Sequence, residues 1–166
     1  MKLSEAKAKF IETWGAVGTN WGINRTMAQI HAYLLVAEKP LSTDDVMEGL
    51  NISRGNANMN IRTLMDWQLV HKKLIKGERK DHFVAEKNIS RMAIHIVRQR
   101  RNKELEPLRA VLNDLKSVKE NTKDAKSFEN TMKEIDTFAG YADSALEKMI
   151  TADDKGWLKM LMKVLG

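Results

Sequence analysis

Cysteine is missing from all 166 residues. Its absence removes disulfides, thiolate metal sites and cysteine nucleophiles, and it fits a reducing compartment. No apolar run approaches the roughly 20 residues needed to cross a bilayer. The opening MKLSEAKAKF also lacks the continuous hydrophobic segment of a signal peptide. A soluble, cytoplasmic chain with no membrane partner is therefore expected. Histidine is sparse and scattered, at His31, His71, His82 and His95. His71 and His82 flank one predicted hairpin and could approach one another, yet no carboxylate or third ligand is spaced to complete a metal site. There is no Gly-rich phosphate loop, no H-E-x-x-H and no G-x-S-x-G, so no metal, no cofactor and no enzymatic activity is expected.

Against these absences stand an apolar content of 43%, enough for a core, and a formal net charge of +6. A modest basic excess favours a polyanionic partner but decides little by itself. Its distribution is more informative. From Ser53 to Lys80 the window carries a net +5, most of the total.

That window lies inside Leu41–Glu86, which reads as two short helices joined by a tight turn and followed by a β-hairpin, the order of parts in a winged helix-turn-helix. Ser42 or Thr43 can cap the first helix, with Asp44 and Asp45 in the turn where carboxylates complement the helix dipole. Val46, Met47 and Leu50 form its apolar face. Asn51 and Ile52 turn the chain, and Ser53 is placed to cap a second helix from about Arg54 to Trp67. Ala57, Ile61 and Leu64, with Met65 at the edge, give that helix one buried stripe.

The opposite face then looks outward, with Gly55, Met59, Arg62 and Asp66 flanked by Asn56, Asn58, Asn60 and Thr63, and with Arg54 at the start. Helix stability does not explain so many Asn residues, whose amides compete for backbone groups. Base reading would: Asn presents a donor and an acceptor side by side to an adenine edge, and Arg suits guanine or phosphate. A merely solvated polar face is the plain alternative. Val70–Ile75 and His82–Ala85 are predicted strands around KGERKD, a loop with the Gly that a turn prefers. Lys76, Arg79 and Lys80 make that loop a plausible footprint on a phosphate backbone, with Arg79 near the tip suited to the minor groove. Exposed charge without a partner is again the alternative.

The segment SRGNANMNIRTLMDWQLVHKKLIKGERKDHFVAEKN resembles the core of MarR-type winged-helix repressors, and more closely the branch named after the regulator of glycine betaine synthesis (GbsR-like). The likeness rests on Ser53-Arg54-Gly55-Asn56, Asn60-Ile61-Arg62, Trp67-Gln68-Leu69-Val70 and Gly77-Glu78-Arg79-Lys80-Asp81. It is strongest over about forty residues. Where the wider family commonly has Asp-x-Arg in the wing, this chain has Glu78 and Arg79 adjacent. The resemblance implies a homodimer that binds double-stranded operator DNA and answers to a small-molecule effector. On this reading Arg54, Asn56, Asn58, Met59 and Arg62 face the major groove, Ser53 and Thr63 hold phosphates, and Lys76, Arg79 and Lys80 serve the wing. Four large aromatics, Trp14, Trp21, Tyr33 and Trp67, form the candidate effector set. The betaine branch suggests a cation–π cage for a quaternary ammonium such as choline, and aromatics that are simply core are the alternative. A winged helix used as a protein-interaction module is the rival from another class.

The flanks read as helical. Residues 4–18 form an amphipathic helix capped by Ser4, with Ala6, Phe10, Ile11, Trp14, Val17 and Gly18 along one side. Asn24 caps a second helix through Glu38, which Pro40 stops, and Leu41 begins a short strand of the wing sheet. Ser90 is expected to cap a helix bearing Met92, Ile96 and Val97. A basic run, Arg98 to Lys103, follows, to be read as a DNA flank or as a solvated surface. Pro107 kinks that helix or starts its next section. Leu105, Leu108, Leu112 and Leu115 repeat like a coiled-coil seam. Phe128, Met132, Ile135, Phe138, Ala142, Ala145, Leu146 and Met149 stripe the next helix, and Trp157, Leu158, Leu161, Met162 and Leu165 a terminal one. A two-fold dimer would cover so much apolar surface economically; an intrachain three-helix bundle is the alternative. The expected fold is mainly α with a small β-wing, divided into an N-terminal amphipathic helix (1–23), a winged helix-turn-helix (24–88) and a helical dimerisation region (89–166).

Overall fold

A computed structural model of the chain describes residues 1–152. The terminal helix expected around Trp157, Leu158, Leu161, Met162 and Leu165 lies outside the described residues. The chain divides into two compact units, Met1–Met92 and a second beginning at Ala93.

In the first unit α1 (Leu3–Asn20) packs along α2 (Arg25–Leu35). The apolar side of α1 is the expected one, but its start is set by Lys2 rather than Ser4: the Lys2 N–H donates to Glu5 Oε2 at 3.0 Å. The two helices come close at Gly18, where a Cβ would stand 2.6 Å from Ala28 Cβ. Asn24 caps α2 as expected, accepting from Thr26 N–H at 2.8 Å. The helix stops at Leu35, short of Glu38, and the chain reaches β1 (Leu41–Ser42) through Pro40. Ile30 and Leu34 are fully buried at the centre of the unit, each such side chain contributing about 1.5–3 kcal/mol by its removal from water.

Next come α3 (Thr43–Leu50) and α4 (Arg54–Asp66), then β2 (Val70–Lys73) and β3 (His82–Ala85). The three strands form one antiparallel sheet in the order β1-β3-β2, with Leu41 opposite Phe83 and Val70 opposite Ala85. Two helices, a turn and a hairpin closed by a third strand make a winged helix-turn-helix. Ser42 caps α3, its Oγ accepting from Asp45 N–H at 3.2 Å while Asp45 Oδ2 accepts from Ser42 N–H at 2.7 Å. The Ser42 hydroxyl, donating to Asp45 Oδ2 at 2.7 Å, and then the Ser42 N–H favour the ionised Asp45 and hold its carboxyl below the usual range. The turn closes at Asn51, whose left-handed φ of 51° is one that Asn tolerates. The strand β2 ends at Lys73 rather than Ile75, leaving Leu74 exposed. His71 lies opposite Val84 and His82 opposite Lys73, so the two histidines are not cross-strand partners. Each has a carboxylate instead, Glu86 for His71 at 4.0 Å and Glu78 for His82 at 3.0 Å.

The helix α5 (Ile89–Arg100) is capped by Asn88, which accepts from Arg91 N–H at 3.1 Å, and not by Ser90. In the second unit the chain passes through a π-helical turn, Arg101–Leu105, into α6 (Glu106–Leu115). The Glu106 N–H donates to Arg101 O, five residues back. Widening the turn immediately before Pro107 lets the helix run on through a residue that has no N–H to offer. The last described helix, α7 (Lys123–Thr151), is capped by Thr122, which accepts from Ala125 N–H at 3.0 Å, and packs antiparallel to α6.

The α6–α7 contact buries Leu112, Ala125 and Ala139. The expected seams are only partly enclosed: Leu108 and Leu115 remain 47% and 40% exposed, and Phe138, placed on the inner stripe by periodicity, is 75% exposed. The small Ala139 beside it takes the inward position, which lets α7 lie close to α6. The expected basic run is no bare surface either. Arg101 pairs with Asp143 at 2.6 Å and Arg100 with Glu104 at 3.1 Å, while Arg109 reaches Asp143 at 2.9 Å. The Arg101 guanidinium holds the Asp143 carboxyl below the usual range. Among the described residues no helix is long and apolar enough to cross a membrane.

Candidate nucleic-acid interface

The second helix of the helix-turn-helix presents most of the predicted surface. Ala57, Ile61 and Leu64 face the core at 0%, 2% and 1% exposure, so the opposite side of α4 looks to solvent. Met59 and Arg62 sit there, exposed, beside Asn58, whose Oδ1 accepts a long 3.4 Å contact from Thr43 Oγ1. Ser53 caps the helix, its Oγ accepting from Asn56 N–H at 3.3 Å. The hydroxyl proton is left available to donate outward, as contact with an anion requires.

Three predicted residues are engaged locally. Asn60, expected on the flank of the outward face, is buried, and its Nδ2 donates to Asn56 O at 2.9 Å and to Asn56 Oδ1 at 2.6 Å. A buried amide costs little when its own helix satisfies it. Asn56 is half-buried and one lone pair of its Oδ1 is taken, which leaves its amide donors and a second lone pair. Thr63 spends its hydroxyl proton on Met59 O at 3.1 Å, and it must release that bond to donate to a phosphate.

In the wing, Gly77 adopts a φ of 87°, a conformation that favours Gly, and Glu78 N–H closes the turn on Ile75 O at 3.1 Å. Lys72 pairs with Asp81 at 2.8 Å across the hairpin. Lys76 and Arg79 are exposed near the tip. Among the described residues, Arg62, Lys73, Lys76 and Arg79 form no ion pair.

Sequence reasoning passed over the residue that joins wing and helix. Asp44, in the first turn of α3, accepts from Arg54 Nη2 at 2.5 Å through Oδ1 and from Lys80 Nζ at 2.7 Å through Oδ2. The hydrogen bond from Lys80, then that from Arg54, holds the Asp44 carboxyl below the usual range, and Asp44 raises Lys80 in return. One carboxylate within reach of both cations means that the start of α4 and the wing tip lie on the same side of the unit. The only sequence signal was an acid in a first helical turn, which dipole complementarity already accounts for.

The aromatic set is distributed over several elements. Trp14 packs with Phe10 and His31, at ring-centroid distances of 5.4 Å and 6.2 Å. Trp21 follows the end of α1, 59% exposed, and Trp67 follows the end of α4. The Tyr33 ring closes on Gly49 of α3, leaving no room there for a Cβ. Tyr33 also lines a cleft of about 390 Å³ with Lys7, Ile11, Val36 and Leu41.

Fold and surface together define a winged helix-turn-helix chain with a helical extension. No protein-family profile matches the chain, and no curated protein matches it. Among solved structures, one described as the crystal structure of a transcriptional regulator is similar, with a TM-score of 0.58 at 15% identity. The likeness covers 86% of this chain and 99% of that one, and at this identity it shows the fold.

Proposed function

We propose that this chain is a sequence-specific, double-stranded DNA-binding transcriptional regulator, a repressor of the MarR type and of its GbsR-like branch, that acts as a homodimer. The observation that carries the proposal is the common carboxylate of Arg54 and Lys80. A reader helix and a cationic wing turned the same way are what a duplex needs if it is to be met in the major groove and along the adjacent backbone. In this reading Arg62, Asn58 and Met59 meet base edges, with Arg54 and Asn56 at the entry of the groove. Ser53 and Thr63 approach phosphates, and Lys76, Arg79 and Lys80 serve the wing. Residues 24–88 are the DNA-binding domain, with 1–23 packed on it and 89–166 joining two copies. The exposed Leu108, Val111, Leu115, Phe138 and Tyr141 support a second copy of the chain as the cover for that apolar surface. A two-fold pair also meets the requirement of a palindromic site, two reader helices roughly 34 Å apart.

Titration of duplex DNA across a salt series tests the reading. Arg62→Ala should weaken a specific site by about 1–3 kcal/mol if the side chain reads a base, and Arg79→Ala should lower affinity and salt slope together. Wild-type binding that both substitutions leave untouched would refute the interface. Failure to bind any duplex at low salt would favour the protein-interaction module.

A further inference from the structure

Within the proposed interface, Asp44 is placed where an anion of another molecule would be expected. Its two oxygens are divided between a guanidinium at the start of the reader helix, 2.5 Å away, and an ammonium from the wing, 2.7 Å away. These partners lie 10 and 36 residues further along the chain, so the cluster is made by the fold and not by local spacing. Burial does not force it: the Arg54 and Lys80 side chains are 62% and 67% exposed. Two oxygens of one anion bridged by two cations is also how a backbone phosphate is held.

We propose that Asp44 is an internal phosphate mimic, occupying in the free protein the place between reader helix and wing that a DNA phosphate takes in the complex. The inference rests on the DNA-binding reading and adds a determinant of affinity to it. For Arg54 and Lys80 to grip a phosphate they must exchange one anion for another, and Asp44 is then left facing like charge. Arg62, Lys73, Lys76 and Arg79 need no such exchange. Non-specific binding draws almost entirely on phosphate contacts, so it reads the cost of this exchange directly, and Asp44 lowers affinity for any duplex whose phosphate Arg54 and Lys80 take up.

The test uses a random-sequence duplex of about 30 base pairs, followed by fluorescence anisotropy from about 50 to 200 mM salt. Asp44→Asn should bind it roughly 3- to 30-fold tighter, the range that two exposed ion pairs span. Its plot of log affinity against log salt should be steeper by about 1 to 2. In the Asp44→Asn background, Lys80→Gln should undo most of the gain. Circular dichroism verifies that each variant is folded. Unchanged or weaker binding by a folded Asp44→Asn, with wild type still binding, overturns the mimic and leaves the interface standing. Absence of binding by both removes the interface and the mimic together. A carbon-detected NMR titration of Asp44 needs no DNA: its midpoint should rise in Lys80→Gln, and an unmoved midpoint overturns the proposal whatever the duplex does.

Discussion

His31 is the side chain through which pH should act on this fold. It lies on α2 beneath Trp14, only 3% exposed, and its Nε2 has no hydrogen-bond partner among the described residues. A charge there would be neither solvated nor paired, and burial lowers its pKa from 6.5 to about 4. The unfolded chain takes up this proton as pH falls through about 6.5, but the folded chain refuses it until about 4. Between those values the unfolded state binds more protons, so stability is whole above the upper value, declines through the window and levels off below the lower. A difference of about 2.5 units corresponds to about 3 kcal/mol, a large part of the about 5–15 kcal/mol that holds a typical domain. Urea melts of wild type and His31→Leu at a series of pH values isolate the effect, because carboxylates titrate alike in both proteins. The advantage of wild type over the variant should shrink by about 3 kcal/mol from neutral pH to about 4. Parallel profiles, or a His31 NMR midpoint near 6.5 in the folded protein, would refute the reasoning.

Two glycines of α1 give a paired prediction. Gly18→Ala drives a Cβ to 2.6 Å from Ala28 Cβ, which is fixed to the backbone of α2. The overpacking cost of about 1–3 kcal/mol should exceed the gain in helix propensity of up to about 1 kcal/mol, and Tm should fall by a few degrees. Gly15→Ala meets side chains alone, Gln29 Cγ at 2.7 Å and Arg25 Cγ at 3.4 Å, and should lower Tm less than Gly18→Ala, so equal effects in a thermal melt would deny the distinction. Phe138→Glu places a charge on the most exposed aromatic of α7; sedimentation should show a wild-type dimer shifted towards monomer, and an unshifted dimer would move the interface elsewhere.

Several parts of the protein were legible because their causes lie within a turn or two of chain. The stripe Ala57, Ile61 and Leu64 settles which side of α4 faces inward, Ser53 and Asn24 cap where an oxygen can reach free N–H groups, and Gly77 supplies the positive φ of the wing turn. Helix, turn, helix and hairpin in that order already specify the fold class. Tertiary structure decided the rest. Lys2 and Asn88 displaced Ser4 and Ser90 as starting points because Glu5 Oε2 takes up the Lys2 N–H and Asn88 Oδ1 the Arg91 N–H. Asn60 turned inward because its own helix satisfies its amide, and Ala139 rather than Phe138 took the buried position on α7. Asp44 gathered Arg54 and Lys80 only once the hairpin had folded back over α3. Periodicity reports how residues recur along one element, whereas these outcomes depend on which surfaces meet after the chain has closed on itself.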